Sequence, residues 1–356
     1  MHTLKPTPKI RAKRAPMGVK LESGMMKGLT YVILIVASLW VLIPLVFLFS
    51  TSVKDKDQLT QSPPPLLPWA VTTANVAGKE RPLYDVTING QTMQMALIRK
   101  QPGGKALFAD PATPDKTVEL VIAQQKPLRH LEFHWENYPQ SIKDMAFMRS
   151  LANTLIVTFG GLLAMLFSCS LVAYGFSRFR APWLNILFLA LLSTIMLPQQ
   201  VTLIPLYILF SKIHWVNTLL PLIIPQLFAN AYDVFFLRQY FMSIPLELDE
   251  AARMDGASPL QILWHIILPH SRPALVAVGV FHFLYAWNDF YQPLIYLQSP
   301  EKWTLAVGIQ TLSGIYTKNT HLIMAVSMLM VLPPVILYFV SQGIFKQGIV
   351  FSGIKG

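Results

Sequence analysis

Residues 151–177 read LANTLIVTFGGLLAMLFSCSLVAYGFS, a run that contains no Asp, Glu, Lys or Arg. A hydrocarbon core about 30 Å thick is crossed by roughly 20 helical residues, so the run is long enough to span a membrane. It also contains Gly160, Gly161 and Ala173, and small residues let membrane helices approach one another closely. The run is therefore predicted to be a transmembrane helix inside a bundle.

Similar uncharged runs lie on both sides of this one. Four of them have 20 or more residues: 28–50, 182–211, 213–232 and 320–345. Another apolar segment covers 273–297 and contains Asp289. Only 13% of the residues are charged and 53% are hydrophobic, whereas soluble domains carry about 25% charged residues. The sequence predicts an all-α polytopic membrane protein with six transmembrane helices, the first at 28–50 and the other five within 147–345.

The net charge of +11 follows the pattern of membrane orientation. Seven of the 29 Lys and Arg residues lie in the tail 1–27, and others follow the second, fourth and sixth spans. The short loops on the opposite side carry only Lys212, Lys302 and Lys318. Cytoplasmic loops of membrane proteins are enriched in Lys and Arg. Both termini are therefore predicted to be cytoplasmic. Residues 1–27 are predicted to be a disordered tail at the lipid surface, and 346–356 a second tail. Because the basic residues are explained by orientation, no nucleic-acid partner is expected.

The segment 51–146 is predicted to be an extracytoplasmic loop. Asn89-Gly90, the strongest short hairpin signal, separates the alternating apolar runs 84–88 and 91–98. Residues 105–108 and 118–122 are further strand candidates. The loop is thus predicted to contain a small β-rich insert at about 69–132. Two interpretations of the insert stay open: a tolerated loop insertion, or a docking or gating surface.

Prolines interrupt several of the predicted spans. The third span, about Trp183–Leu197, stops at Pro198-Gln199-Gln200 and resumes to Phe210, which predicts a broken or bent helix. Irregular backbone at membrane depth occurs where protein or a water-filled cavity surrounds it. The remaining spans are predicted at about 216–237, 273–297 and 321–345.

The sequence lacks several motifs of nucleotide-binding and hydrolytic proteins. It has no GxxxxGK[ST], HExxH or GxSxG, and its one cysteine, Cys169, is predicted to be a small packing residue. His130, Glu132 and His134 could be placed around a metal, but three ligands without a fourth in view predict only a weak site. No cofactor is therefore expected on this chain.

Residues 250–269 read EAARMDGASPLQILWHIILP, a polar break between two apolar segments. Acidic residues near its start favour a helix N-terminus, and Gly256 is suited to a left-handed helix end. Ser258 and Pro259 are suited to the N-cap and first position of a second helix. Ala251 and Ala252 are predicted to form a narrow face that fits a groove. On the cytoplasmic side, this segment is either a solvated loop or a site that binds a soluble partner.

Several motifs resemble one protein family. Glu250-Ala251-Ala252, Gly256-Ala257, Ile266 and Leu268-Pro269 have the spacing of the EAA loop of permease subunits of binding-protein-dependent ABC importers. Other matching segments are Asn153-Thr154, 173–178, Leu197-Pro198, 204–207, Asn217-Thr218, 243–245, 287–290 and 353–356. Together they resemble the maltose-type second permease subunit of carbohydrate importers, over about 28–68 and 133–356. Residues 69–132 depart from that family.

The resemblance implies the type I importer permease fold and a location in the cytoplasmic (inner) membrane of a bacterium or archaeon. It also implies three protein partners: a homologous permease subunit, a cytoplasmic ATPase dimer that holds ATP and magnesium, and an extracytoplasmic solute-binding protein. The coupling loop 243–269 would contact the ATPase through Glu250, Ala251, Ala252, Asp255, Gly256, Leu268 and Pro269.

Polar residues within the spans are candidates for the substrate path. Asp233 is the only acid deep within the fourth span, and Asn230 lies on the same helical face. Asp233 either faces the path or makes a polar contact between helices. Trp287, Asn288 and Asp289 combine a ring with amide and carboxylate groups, which suits sugar hydroxyls but also suits packing and interfacial anchoring.

Alternative functions differ in what they require of the sequence. An importer for glycerol phosphate or another small polar solute would share every motif above. A channel or secondary transporter has no need of an ATPase-binding loop. An intramembrane enzyme requires facing ionisable residues, and Asp233 has no evident partner in the other spans.

Overall fold

The computed structural model describes residues 17–59, 65–88, 91–313 and 319–352, and most of these residues are helical. The helices are α1 (Met17–Ser52), α2 (Lys56–Leu59), α3 (Asn137–Asp144), α4 (Phe147–Arg178), α5 (Leu184–Ser193), α6 (Gln199–Lys212), α7 (Leu220–Ile223), α8 (Ala231–Met242), α9 (Leu246–Met254), α10 (Pro259–Ile262), α11 (Leu268–His270), α12 (Arg272–Asn288), α13 (Tyr291–Tyr296), α14 (Leu305–Gly308) and α15 (Thr320–Ser352). The strands are β1 (Trp69–Val71), β2 (Thr73–Val76), β3 (Lys79–Ile88), β4 (Gln91–Lys100), β5 (Lys105–Asp110), β6 (Thr113–Val121), β7 (Lys126–Pro127) and β8 (Arg129–Leu131).

Four helical segments of the described chain are long and apolar enough to cross a membrane: Met26–Ser52, Phe147–Arg178, Leu220–Met242 and Thr320–Ile344. Two bent helix pairs meet the same test when each pair is taken together. Leu184–Met196 and Gln199–Lys212 meet at 97°, and Pro259–His270 and Arg272–Asn288 meet at 80°. Each pair is a broken span or a re-entrant loop.

The bend between α5 and α6 has a local cause in the sequence. Leu197 precedes a proline, and the ring of a proline disfavours helical backbone in the residue before it. Leu197 accordingly has an extended backbone, with φ −79° and ψ 116°. The predicted break at Pro198 is therefore present.

Some helix limits differ from the prediction. The fifth apolar segment does not continue as one helix to Leu297, because α12 ends at Asn288 and Asp289 is extended. The Asp289 carboxylate accepts hydrogen bonds from the backbone N–H groups of Tyr291 and Gln292, which starts α13 instead. At the termini, residues 17–27 are helical where disorder was predicted, and α15 extends to Ser352, into the predicted tail.

The segment between α2 and α3 contains antiparallel strands. One sheet has the order β2-β3-β4-β5-β6, with β7 also paired to β3. In β3 and β4 the register pairs Val86 with Met93 and Tyr84 with Met95. Buried side chains from three strands form a core of their own: Val86, Met95, Leu97, Ala106 and Phe108. The predicted turn Asn89-Gly90 lies outside the described residues.

A two-stranded stalk joins this sheet to the helices. Strands β1 and β8 pair, with Val71 opposite Arg129. Where the stalk meets the helices, the Asn137 amide donates to the carbonyl oxygens of Ser52 and Lys54, both at 2.9 Å. The fully buried Lys54 ammonium donates to the Pro65 carbonyl, and burial lowers the pKa of this lysine. These bonds fix the end of α1 against α3.

Helix α4 lies at the centre of the bundle and packs against α8 and α12. A Cβ added at Gly161 would lie 3.0 Å from Nε2 of His282, and one at Gly160 would lie 3.3 Å from Ile223. The facing side chains would therefore have to shift to accept any larger residue at either position. The predicted close approach at this glycine pair is confirmed, and Cys169 is fully buried in the same bundle core.

Candidate coupling and translocation sites

Helix α9 and the turn after it form the first half of the predicted coupling loop. Pro245 precedes the helix, and Glu247 and Asp249 lie in its first turn, where carboxylates are favourable. The helix ends at Met254, and Gly256 has φ +83°. The left-handed turn predicted at Gly256 is confirmed.

The second half begins with a complete capping box. The Ser258 hydroxyl accepts from the Gln261 backbone N–H, and the Gln261 side chain accepts from the Ser258 N–H at 2.7 Å. Helix α10 continues into a π-helical turn over Leu263–Ile267. Ile262, Leu263 and Ile267 are buried in the bundle core, so this half is packed against the transmembrane helices.

The predicted coupling residues differ in their exposure to solvent. Glu250, Ala251, Asp255, Gly256 and Pro269 are exposed, as is Met254, at 88% of its surface. We call the exposed residues Glu250, Ala251 and Met254 the outer face of α9. Ala252 was predicted to share the groove-fitting face with Ala251, but only Ala251 is exposed. Ala252 is partly buried against the bundle core, because one residue along a helix turns about 100° away. Leu268, at the start of α11, is also partly buried against this core.

A buried ion pair joins α9 to α4, and the sequence analysis missed it. Nε of Arg178 lies 3.0 Å from Oδ2 of Asp249, and the two side chains are only 3% and 2% exposed. The Arg178 Nη2 also donates to the Ile244 carbonyl at 3.0 Å. The two residues lie far apart in the sequence, and nothing in their spacing links them.

The structure gives Asn230 and Asp233 a local role. Asn230 is the N-cap of α8, and its side-chain oxygen accepts from the Asp233 backbone N–H at 2.9 Å. Its amide nitrogen donates to the Asp233 carboxylate, which is buried. Each side chain is therefore engaged by the other at the start of α8, which is a local contact and not the contact between helices that was considered for Asp233.

We expect Asp233→Asn to retain solute uptake within about twofold, because an amide oxygen can still accept from the Asn230 side chain. Asn230→Ala removes the cap and is expected to cost roughly 0.5–2 kcal/mol of stability. Transport assays and thermal unfolding of the purified protein measure the two effects. Loss of uptake by a normally folded Asp233→Asn variant would place Asp233 in the translocation path.

Trp287 and Asn288 also have partners within the chain. Trp287 is 1% exposed, stacks on Phe283 at 5.4 Å and donates from Nε1 to the Met330 carbonyl at 3.0 Å. It packs between α12 and α15 in this structure, which agrees with the packing alternative considered for it. Asn288 is exposed and donates to the Leu284 carbonyl, and Asp289 caps α13 as described above.

Two asparagines noted in the sequence fasten a loop at the opposite end of α4. Asn153 donates to the carbonyl oxygens of Glu301 and Trp303, at 2.9 and 3.1 Å. Asn217, with φ +63°, accepts from the Gln298 and Ser299 backbone N–H groups. Both motifs therefore stabilise the connection between α13 and α14.

The possible metal ligands lie close to one another near the protein surface. His130 and His134 lie 3.5 and 3.9 Å from Glu132, and His134 also bonds to Glu136 at 2.6 Å. Within the described ranges no group of three or more His, Cys, Asp or Glu residues is arranged to hold a metal ion.

Comparison with known families decides the class of protein. Residues 156–350, which include the α9 loop and helices α5 to α12, match the family described as "Binding-protein-dependent transport system inner membrane component". The chain belongs to this family. It is a membrane-spanning permease subunit of an ABC importer, a transport component rather than an enzyme.

Named relatives agree with this assignment. The sn-glycerol-3-phosphate transport system permease protein UgpE of Shigella flexneri is 34% identical over 262 residues, which cover 73% of this chain and 90% of that protein. The arabinooligosaccharides transport system permease protein AraQ of Halalkalibacterium halodurans is 37% identical over 194 residues, covering 54% and 69%.

A solved structure shares the fold over nearly the whole chain. It is described as a bacterial ABC transporter involved in the import of the acidic polysaccharide alginate, and it aligns with 95% of this chain and 99% of its own at a TM-score of 0.63. The sequence identity is 20%, so this likeness speaks for the fold alone. It supports the type I importer permease fold expected from the sequence.

Proposed function

We propose that this permease forms, with a homologous subunit, the translocation path for a sugar or oligosaccharide, and that its coupling loop binds a separate ATPase. The observation that carries the proposal is the outer face of α9. There Glu250, Ala251 and Met254 are exposed on a helix whose other side is fixed to the bundle. The sequence has no P-loop, so the energy for transport has to enter through another chain.

The same proposal includes the membrane topology. Counting each bent pair as one span gives six spans, with both termini and α9 on the cytoplasmic side. The distribution of Lys and Arg supports this orientation. A solute-binding protein would then deliver the solute from the opposite side, where the β-rich insert lies. ATP and magnesium would be held by the ATPase, with no cofactor on this chain.

A neutral carbohydrate is the first choice of solute. Two exposed polar groups at the α5–α6 break are uncharged: the Tyr285 hydroxyl donates to the Gln199 side chain at 3.1 Å. Amide and phenol groups suit sugar hydroxyls, whereas a phosphate ester favours Arg or Lys. Glycerol phosphate is the second candidate, because the UgpE relative is named for it. Uptake of labelled neutral oligosaccharide and of sn-glycerol 3-phosphate by the same proteoliposomes distinguishes the two.

Co-purification tests the importer proposal as a whole. The permease, expressed with the products of its neighbouring genes and purified in mild detergent, is expected to bring down a second permease and an ATPase. Addition of ATP is then expected to support uptake in proteoliposomes supplied with the solute-binding protein. A permease that is purified folded but alone, from cells that contain those products, would contradict the proposal.

The β-rich insert is expected to fold apart from the helices, because it has its own buried core and a two-stranded stalk. Val71 and Arg129 are paired neighbours, so residues 72–128 can be replaced by Asn-Gly, which suits a two-residue hairpin turn. We expect this shortened permease to reach the membrane and bind the ATPase at normal levels. A shortened permease that fails to reach the membrane would show that the helices need the insert.

Uptake by the shortened permease then separates the two interpretations of the insert. A loss greater than tenfold with normal ATPase binding would indicate a surface that binds the solute-binding protein. Unchanged uptake would indicate a tolerated loop insertion.

A further inference from the structure

Only short connections join α9 covalently to the transmembrane helices. Residues 243–245 precede it and residues 255–258 follow it. A movement imposed on α9 would be absorbed by bending of these connections unless other contacts fix the helix to the bundle. The way in which α9 is fixed therefore decides whether its movement reaches the membrane.

Arg178 provides such a contact at the end of α4. Its guanidinium group pairs with Asp249 on α9 and donates to the Ile244 carbonyl in the connection before α9. One planar group thus contacts α9 and its connection at once. The Ile244 carbonyl accepts a hydrogen bond from the guanidinium, whereas Asp249 is held by its charge at ion-pair distance. The planar guanidinium can engage both groups in a fixed geometry, which a single point charge does not.

The positions of the two charges favour the pair. Arg178 lies in the last turn of α4, where the helix dipole favours a cation, and Asp249 lies in the first turn of α9, where it favours an anion. Both side chains are almost completely buried, so water and salt screen their attraction less than that of an exposed pair.

Asp249 and Glu250 are consecutive acids with opposite surroundings. The Asp249 side chain is buried against Arg178, whereas Glu250 is exposed on the outer face of α9. The short helix therefore has one carboxylate directed to the bundle and its neighbour directed to solvent. A partner bound at Glu250 would therefore contact the residue next to Asp249, which pairs with Arg178 of α4.

We propose that Arg178 and Asp249 are positioning residues that join α9 rigidly to α4, so that movement of α9 is transmitted to the central transmembrane helix. The proposal rests on the proposed function, in which the ATPase binds the outer face of α9. Helix α4 is suited to receive the movement because it packs against both α8 and α12.

The test uses the complete importer in proteoliposomes and measures solute molecules taken up for each ATP hydrolysed. The main variant is the double replacement Arg178→Met with Asp249→Leu, which removes both charges and leaves neither buried without a partner. It is expected to bind the ATPase and to hydrolyse ATP, with the uptake-to-ATP ratio at least about tenfold lower. Arg178→Lys keeps the charge but loses the fork, and a smaller fall of about two- to fivefold is expected.

Arg180→Met is the matched control, because Arg180 is an exposed cation two residues from Arg178, and its ratio is expected to be unchanged. An unchanged ratio in the double variant would overturn the proposal. If the double variant fails to accumulate, Arg178→Lys decides, and an unchanged ratio in that variant would overturn it as well. Failure of the wild-type permease to bind an ATPase would instead overturn the proposed function.

Discussion

Gly256→Pro is expected to lower solute uptake more than about a hundredfold while the protein still inserts into the membrane. Gly256 has φ +83°, whereas proline fixes φ near −65°. The Gly256 N–H also donates to the Arg253 carbonyl at 3.0 Å, and proline has no N–H to donate. The replacement would therefore change the direction of the chain between α9 and α10, and uptake in proteoliposomes measures the effect.

A graded series at the same position separates backbone conformation from steric clash. No atom lies within 4 Å of a Cβ added at Gly256, so any loss comes from the backbone. Asn tolerates the left-handed region better than Ala, which costs about 1–2 kcal/mol there, so uptake is expected to fall in the order Gly, Asn, Ala, Pro. Gly175→Ala, at a glycine that is also open but lacks a positive φ, serves as the control. More than a tenth of normal uptake with Gly256→Pro would contradict the coupling role of this turn.

Glu250→Lys is expected to abolish ATPase capture and, with it, ATP-driven uptake. The side chain is exposed on the outer face of α9, so its reversal should leave the stability of the permease almost unchanged. At a partner's surface, loss of one member of a close charge pair costs on the order of 2–5 kcal/mol, about 30-fold or more in affinity. Pull-down of the ATPase at several salt concentrations measures the loss directly.

Glu301→Lys is the control for this charge reversal. Glu301 is an exposed acid whose backbone bonds to Asn153 near the start of α4, whereas the coupling loop lies beside Arg178 at the end of that helix. A 32-residue helix is about 48 Å long, so the two acids are far apart. Glu301→Lys is expected to bind the ATPase normally. Normal capture by Glu250→Lys as well would remove Glu250 from the contact.

Local features of the coupling loop were predictable from the sequence. The left-handed Gly256 and the Ser258 cap depend on residues within a few positions of each other, and short-range rules describe such contacts well. The Asn230 cap carried a similar signal that was overlooked, since Asn followed three residues later by an acid resembles a capping box. Asn230 and Asp233 were considered for the substrate path because intramembrane polar residues were interpreted one at a time.

Long-range contacts were not predictable in this way. The 70 residues between Arg178 and Asp249 do not indicate how α4 and α9 meet, so the pair is evident only in the folded chain. The direction of Trp287 toward Met330 likewise depends on the packing of α12 against α15. The hydropathy pattern also failed to predict the end of α12 at Asn288, because one aspartate among apolar residues scarcely changes a window average. The carboxylate of Asp289 nevertheless accepts the two hydrogen bonds that start α13.

Site-specific photo-crosslinking tests the central claim most directly, namely that the outer face of α9 contacts the ATPase. A benzoylphenylalanine at Met254, which is 88% exposed on that face, is compared with the same group at Met148, 65% exposed near the start of α4. In membranes that contain the whole importer, we predict a permease–ATPase adduct from position 254 and none from position 148. The absence of an adduct at position 254 in an importer that transports solute would contradict the account.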